Sequence, residues 1–162
     1  MRHATLLILM MAFLAGCETV EPVVRIEFPE AEYAALAETG KASVRGQAFM
    51  KTLGGDVKTA AGNDVTLNPV TSYSQQWYMA YCQKKPLEPA DPRINQYIHK
   101  TIADAEGRFE FLDVPAGEYF LVATVIWYAP TGYRGSLQQQ GGLVVKRIML
   151  EEGESEKVIL TP

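Results

Sequence analysis

The chain has 162 residues, of which 48% are hydrophobic and 21% charged, and its formal net charge is −4. That length suits one domain and that apolar share suits a packed core, which excludes an extensively disordered chain. The acidic balance excludes nonspecific nucleic-acid binding, which needs an excess of cations against phosphate.

Residues 1–16 read as a leader. Arg2 supplies a positive start, and residues 6–14 form an apolar run of nine. Such a run fits the middle of a signal peptide and is too short to span a bilayer. Ala15 and Gly16 are small, and Cys17 follows. The string Leu14-Ala15-Gly16-Cys17 resembles the bacterial lipobox. The resemblance implies that the Cys17 thiol carries a diacylglycerol and that cleavage makes Cys17 the first residue. Glu18, where an aspartate would retain the protein at the inner membrane, then implies an outer-membrane location facing the periplasm. Cleavage removes Arg2 and leaves a slightly more acidic chain, so acyl chains rather than charge hold it to lipid. Cys82 is the other cysteine. Without an intrachain partner it is expected to be buried and inert.

Residues 17–40 are expected to form the lipidated Cys and a tether. Residues 18–28 show no period, apart from a short extended piece at 23–26. Pro29, the early acids Glu30 and Glu32, and Gly40 predict a helix over 29–38. A helix of that length needs a surface to dock on. From Lys41 the pattern changes to short strands split by Gly and Pro turns, at 43–50, 56–60, 64–67, 100–104, 108–112, 118–128, 143–150 and 157–161. Ala105-Glu106-Gly107 predicts a hairpin between 100–104 and 108–112. On its return strand Phe109 and Phe111 alternate with Arg108 and Glu110. Pro115-Ala116-Gly117 predicts a tight turn.

Four segments depart from a plain strand pattern. Residues 72–83 predict a helix, capped by Ser72 or Ser74. Pro86, Pro89 and Pro92 then predict an extended loop. The strand at 118–128 is apolar on both faces: Tyr119, Leu121, Ala123, Val125 and Trp127 on one, Phe120, Val122, Thr124, Ile126 and Tyr128 on the other. A sandwich core covers one such face, and exposed apolar patches of that size are rare. The 72–83 helix is therefore expected to lie on the second face, anchored by Trp77 and Tyr81, with Trp77 mostly buried. Residues 129–142 predict a long loop rich in Gly and Gln, with Tyr133 and Arg134 near its tip.

Residues 101–111, with Asp104-x-x-Gly107-Arg108-Phe109, and the following Pro115-x-Gly117-x-Tyr119, resemble the carboxypeptidase regulatory-like domain. Val44-Arg45-Gly46, the stretch 65–69 and the closing 158–160 look like its first and last strands. The resemblance covers residues 41–162. It implies an all-β, transthyretin-like Greek-key β-sandwich of about seven strands, here with a short helical insertion. It also implies a noncatalytic module with diverse partners.

Catalytic chemistry is not legible. Once the leader is removed, His99 is the last histidine, and neither it nor Cys82 sits in a nucleophile motif. The Asp104-Glu106 pair reads as a turn and lacks the later ligands of a calcium loop. No metal or cofactor is expected. The first reading is a lipid-anchored binding or assembly module for a protein of the cell envelope. Tyr133 and Arg134 are candidate contacts, because Tyr and Arg are favoured at interfaces. The alternative is a glycan or small-molecule receptor, with Trp77, Tyr78, Tyr128 and Tyr133 lining an aromatic groove.

Overall fold

The computed structural model describes residues 21–132 and 135–162. The leader, Cys17, Tyr133 and Arg134 lie outside the described residues. In chain order the elements are α1 (Glu30–Ala34), β1 (Ala42–Lys51), β2 (Val57–Thr59), β3 (Asp64–Pro69), α2 (Ser72–Cys82), a 3-10 turn (Pro92–Gln96), β4 (His99–Ile102), β5 (Arg108–Val114), β6 (Gly117–Pro130), β7 (Leu137–Leu150) and β8 (Ser155–Leu160). They form a β-sandwich of two sheets with a short helical insertion. In the first sheet β1 pairs antiparallel with β2 and β5 and parallel with β8. The second has the order β4-β3-β6-β7, all antiparallel.

Alternation builds the core. Val44 and Ala48 of β1, Val65 and Leu67 of β3, Phe109 and Phe111 of β5, and Val158 and Leu160 of β8 all turn inward. Leu121, Ala123 and Val125 of β6 are fully buried between the sheets, and Phe120 is fully buried on the opposite face. The period of two thus assigns each residue its side, as in any pleated strand.

The expected 100–112 hairpin is not one. The turn exists, with the Asp104 carboxylate accepting from the backbone N–H of Glu106 and Arg108. But β4 pairs with β3 and β5 pairs with β1, so the chain crosses from one sheet to the other. The β2–β3 connection crosses in the same way. The two crossings interlock through Gly62 N–H to Ala103 (3.0 Å) and Ala103 N–H to Asn63 (3.0 Å), and β1 joins the second through Ala48 N–H to Gly107 (2.9 Å). A turn motif reports that the chain reverses, not which strand takes its open edge.

The expected 129–142 loop is also shorter. β6 and β7 stay in register from Gly117–Leu150 out to Pro130–Leu137, which leaves only 131–136 as the connection. Gln and Gly have weak strand preference, yet a ladder already formed beside them carries them along. At Gly141 (φ +89°) the backbone passes so close to the Val125 carbonyl that no side chain fits.

The outer face of the second sheet is roofed. Thr71, not Ser72 or Ser74, caps α2: its hydroxyl accepts from Ser74 N–H while the Ser74 hydroxyl accepts from Thr71 N–H. Ser72 instead donates twice to Glu32, which ties α2 to α1. Tyr78 stacks on Phe120 at 4.7 Å, Trp77 meets it edge-on at 6.1 Å, and the Tyr81 hydroxyl donates to the Leu143 carbonyl at 2.9 Å. The helix covers β6 as expected, but Trp77 is half-buried rather than mostly buried and Tyr78 makes the closest ring contact. Cys82, at the end of α2, is exposed rather than buried.

The N-terminal approach is docked as a strap. Val23 N–H donates to Pro86, Glu88 N–H donates to Val23, and Gln76 of α2 holds the backbone of Val24 and Ile26. α1 is shorter than expected, and Tyr33 within it is fully buried between Phe28 and Tyr97. Phe28, Tyr33, Tyr73 and Ile94 form a second small core outside the sandwich. Pro92 starts the 3-10 turn instead of prolonging the extended loop, with Asp91 as its cap.

Candidate functional site

Between the strap, α2 and the second sheet the roof leaves a cavity of about 270 Å³. β3 supplies Thr66 and Asn68 from its outward face, because Val65 and Leu67 take the inward one. Trp77 comes from α2, Asn95 from the 3-10 turn and Arg25 from the strap. The Asn68 side-chain oxygen is buried and has no hydrogen-bond partner among the described residues. An acceptor left so costs about 1–3 kcal/mol. No hydrogen bond within the described residues engages the side chains of Thr66, Trp77 or Asn95 either. The cavity therefore combines an aromatic wall with several polar groups that have unused donors and acceptors.

A second concavity, of about 610 Å³, lies at one end of the sandwich, between α1, the 3-10 turn and the start of β6. Tyr33 and Tyr119 in its wall are buried, so they offer little ring face to a ligand. The Tyr119 hydroxyl is already spent on the Pro115 carbonyl at 3.0 Å. Glu118 is paired with Arg147, whose guanidinium lowers its carboxyl pKa. A third depression, on the first sheet, is roofless and carries mixed charge, with Arg108 engaged by Asp104 and Glu106.

His99 in the end groove carries a pH prediction. Burial disfavours the imidazolium and lowers its pKa from the ordinary 6.5. As pH falls through about 6.5 the unfolded chain takes up the proton first, so the folded state loses stability until its own, lower pKa is passed. Urea unfolding at pH 7.5 and pH 5.5 should show the wild type less stable at the lower pH, and His99→Gln should reduce that difference.

Of the residues expected from sequence, the described ones, Trp77, Tyr78 and Tyr128, do not share one site. Trp77 and Tyr78 meet at Phe120, and among the described residues of the aromatic set only Trp77 lines one of these cavities. Tyr128 is 61% exposed and its hydroxyl reaches Gln139. The register places that pair four residues beyond Thr124–Leu143, about 13 Å along the strand at the usual rise. No local pattern marks Arg25, Thr66, Asn68 or Asn95 as site residues. Alternation along 64–69 does put Thr66 and Asn68 outward, but nothing local says that a roof will close over them.

Among the described residues no group of three or more His, Cys, Asp or Glu could hold a metal ion, and no helix is long and apolar enough to cross a membrane. No family model and no curated protein matches the chain. Its fold is similar to a solved structure from Pseudomonas aeruginosa, described as a "putative carbohydrate binding protein". The two are 28% identical, with a TM-score of 0.74 over 85% of this chain and 99% of that one.

Proposed function

We propose that the chain is a noncatalytic carbohydrate-binding module of the cell envelope, anchored by acyl chains on Cys17, which binds a sugar beneath α2. The observation that carries this reading is the unpartnered, buried Asn68 oxygen in a cavity also lined by Thr66, Asn95, Arg25 and Trp77. Side-chain amides and a hydroxyl both donate and accept, as sugar hydroxyls do. An indole face suits the C–H face of a pyranose, and few polar groups in a largely apolar pocket fix orientation. The likeness to the Pseudomonas aeruginosa structure supports the same reading. Catalysis is not part of it, since His99 lies in the end groove and not in this pocket. Kinship with the carboxypeptidase regulatory-like domain belongs to the proposal as well, on the 104–109 and 115–119 motifs.

A glycan array followed by calorimetry tests the reading. The purified protein should bind at least one saccharide, and Trp77→Ala and Asn68→Ala should each weaken it about tenfold or more, the effect of losing one well-made polar or stacking contact. No bound saccharide on the array, or unchanged affinity in both variants, overturns the site. Cys17→Ser should move the protein from the membrane to the soluble fraction, and its retention on the membrane overturns the anchor.

Docking of another envelope protein is the second reading. It is favoured by the far end of β7, an edge strand whose residues 137–145 carry no charge, beside exposed Tyr128 and Leu137. A photo-crosslinker placed at Tyr128 that captures no protein in cells sinks it.

A further inference from the structure

We infer that the saccharide bound beneath α2 carries a carboxylate, which pairs with Arg25; this rests on the carbohydrate reading above. Arg25 is the one charged residue lining that cavity among the described residues. It is half-buried and forms no ion pair with them, whereas Arg93, Arg108 and Arg147 are each matched to carboxylates. Glu88 is bonded to Arg25 but not through an ion pair with its guanidinium. The Glu88 carboxylate accepts from the Arg25 backbone N–H at 2.9 Å, and the Arg25 Nε donates instead to the Glu88 carbonyl at 2.6 Å. The guanidinium also lies over the Tyr73 ring at 4.8 Å.

Carbonyl and ring hold the guanidinium in place, and no carboxylate of the described residues pairs with it. A half-buried guanidinium with no carboxylate in ion-pair distance is open to pair with an arriving one. The planar fork of arginine suits a carboxylate with two parallel hydrogen bonds, geometry that a neutral hydroxymethyl group cannot match. The remaining lining is neutral: Thr66, Asn68 and Asn95 can meet ring hydroxyls, and Trp77 is the apolar wall. The cavity of about 270 Å³ lies below the usual range of roughly 300–1,000 Å³ for drug-sized ligands, which suits one sugar ring rather than a chain. A hexuronate unit has the required parts: one ring, several hydroxyls and one carboxylate.

The test compares matched probes on the full chain: glucuronate, galacturonate and mannuronate against glucose, galactose and mannose, by calorimetry and saturation-transfer NMR. At least one uronate should bind about tenfold or more tightly than its hexose, and the preference should shrink as salt rises. Arg25→Gln should erase the preference without unfolding the strap, because the Arg25 backbone N–H keeps its bond to Glu88; circular dichroism and urea unfolding check this. Arg25→Lys keeps the charge but loses the fork, and should retain only part of the preference. Hexoses binding as well as their uronates, or a preference that survives Arg25→Gln, overturns the inference and leaves the carbohydrate reading standing. Binding of none of the six overturns the inference, while the carbohydrate reading falls only if the glycan array also shows no bound saccharide.

Discussion

Replacing Phe120 by alanine is expected to destabilise the fold by about 3–5 kcal/mol and to abolish binding beneath α2. Phe120 points away from the sandwich core yet is fully buried. What buries it is the insertion: Tyr78 stacks on its ring at 4.7 Å, Trp77 meets it edge-on, and the Arg147 guanidinium lies 5.9 Å from its centroid. Removing the ring leaves a cavity that these neighbours cannot fill without moving, and Trp77 is both an anchor of α2 and a wall of the pocket. Leu121→Ala is the control. It removes a fully buried side chain from the opposite face of the same strand, at a comparable cost of about 2–5 kcal/mol, but leaves the α2 contacts in place. Its folded fraction should therefore still bind. Urea unfolding with indole fluorescence and saccharide titration on both variants reads the two effects. A Phe120→Ala protein of wild-type stability would mean that α2 is not held by this ring.

Gly107→Ala is expected to lower stability by about 2–5 kcal/mol, while Gly62→Ala lowers it by only about 1 kcal/mol. Both glycines sit where the chain passes between the sheets, and both have left-handed backbone, at φ +77° and +71°. Each alanine therefore pays the same conformational strain. Their surroundings differ. A Cβ on Gly107 would stand 2.6 Å from the Ala48 carbonyl oxygen and 2.9 Å from the Thr59 side chain, whereas one on Gly62 meets nothing within 4 Å. The difference between the two variants isolates the packing of the 103–107 crossing against β1 and the end of β2. Denaturant midpoints for both proteins measure it, and equal losses would show that this crossing is not tightly packed on those strands.

The candidate site was partly visible in the sequence. The second apolar face of β6 announced that something must lie on it, and the aromatic helix at 72–82 was the natural cover. Trp77 followed from that argument. Arg25, Asn68 and Asn95 did not, because each is unremarkable among its own neighbours. Their meaning comes from three segments, distant in the chain, that meet over one patch of sheet. Asn68 without a roof would be an ordinary solvated residue.

The same division runs through the fold. Alternation along 43–50 and 108–112 is enough to set which side chains enter the core, and along 118–128 it sorts the side chains into two faces without saying which one the core takes, since the pleat is a local property with a period of two. Turn residues at 61–63 and 105–107 were enough to mark reversals. Which edges pair is settled by contacts between residues far apart in sequence, and no local pattern encodes them. Folding alone therefore split the apparent hairpin at 105–107 between two sheets and drew the Gln-rich stretch after Leu137 into a long β7. Folding also turned the approach from residue 23 into the strap that brings Arg25 to the pocket. Local chemistry wrote the elements; the burial of both faces of β6, possible only when strap, helix and sheets come together, made the site.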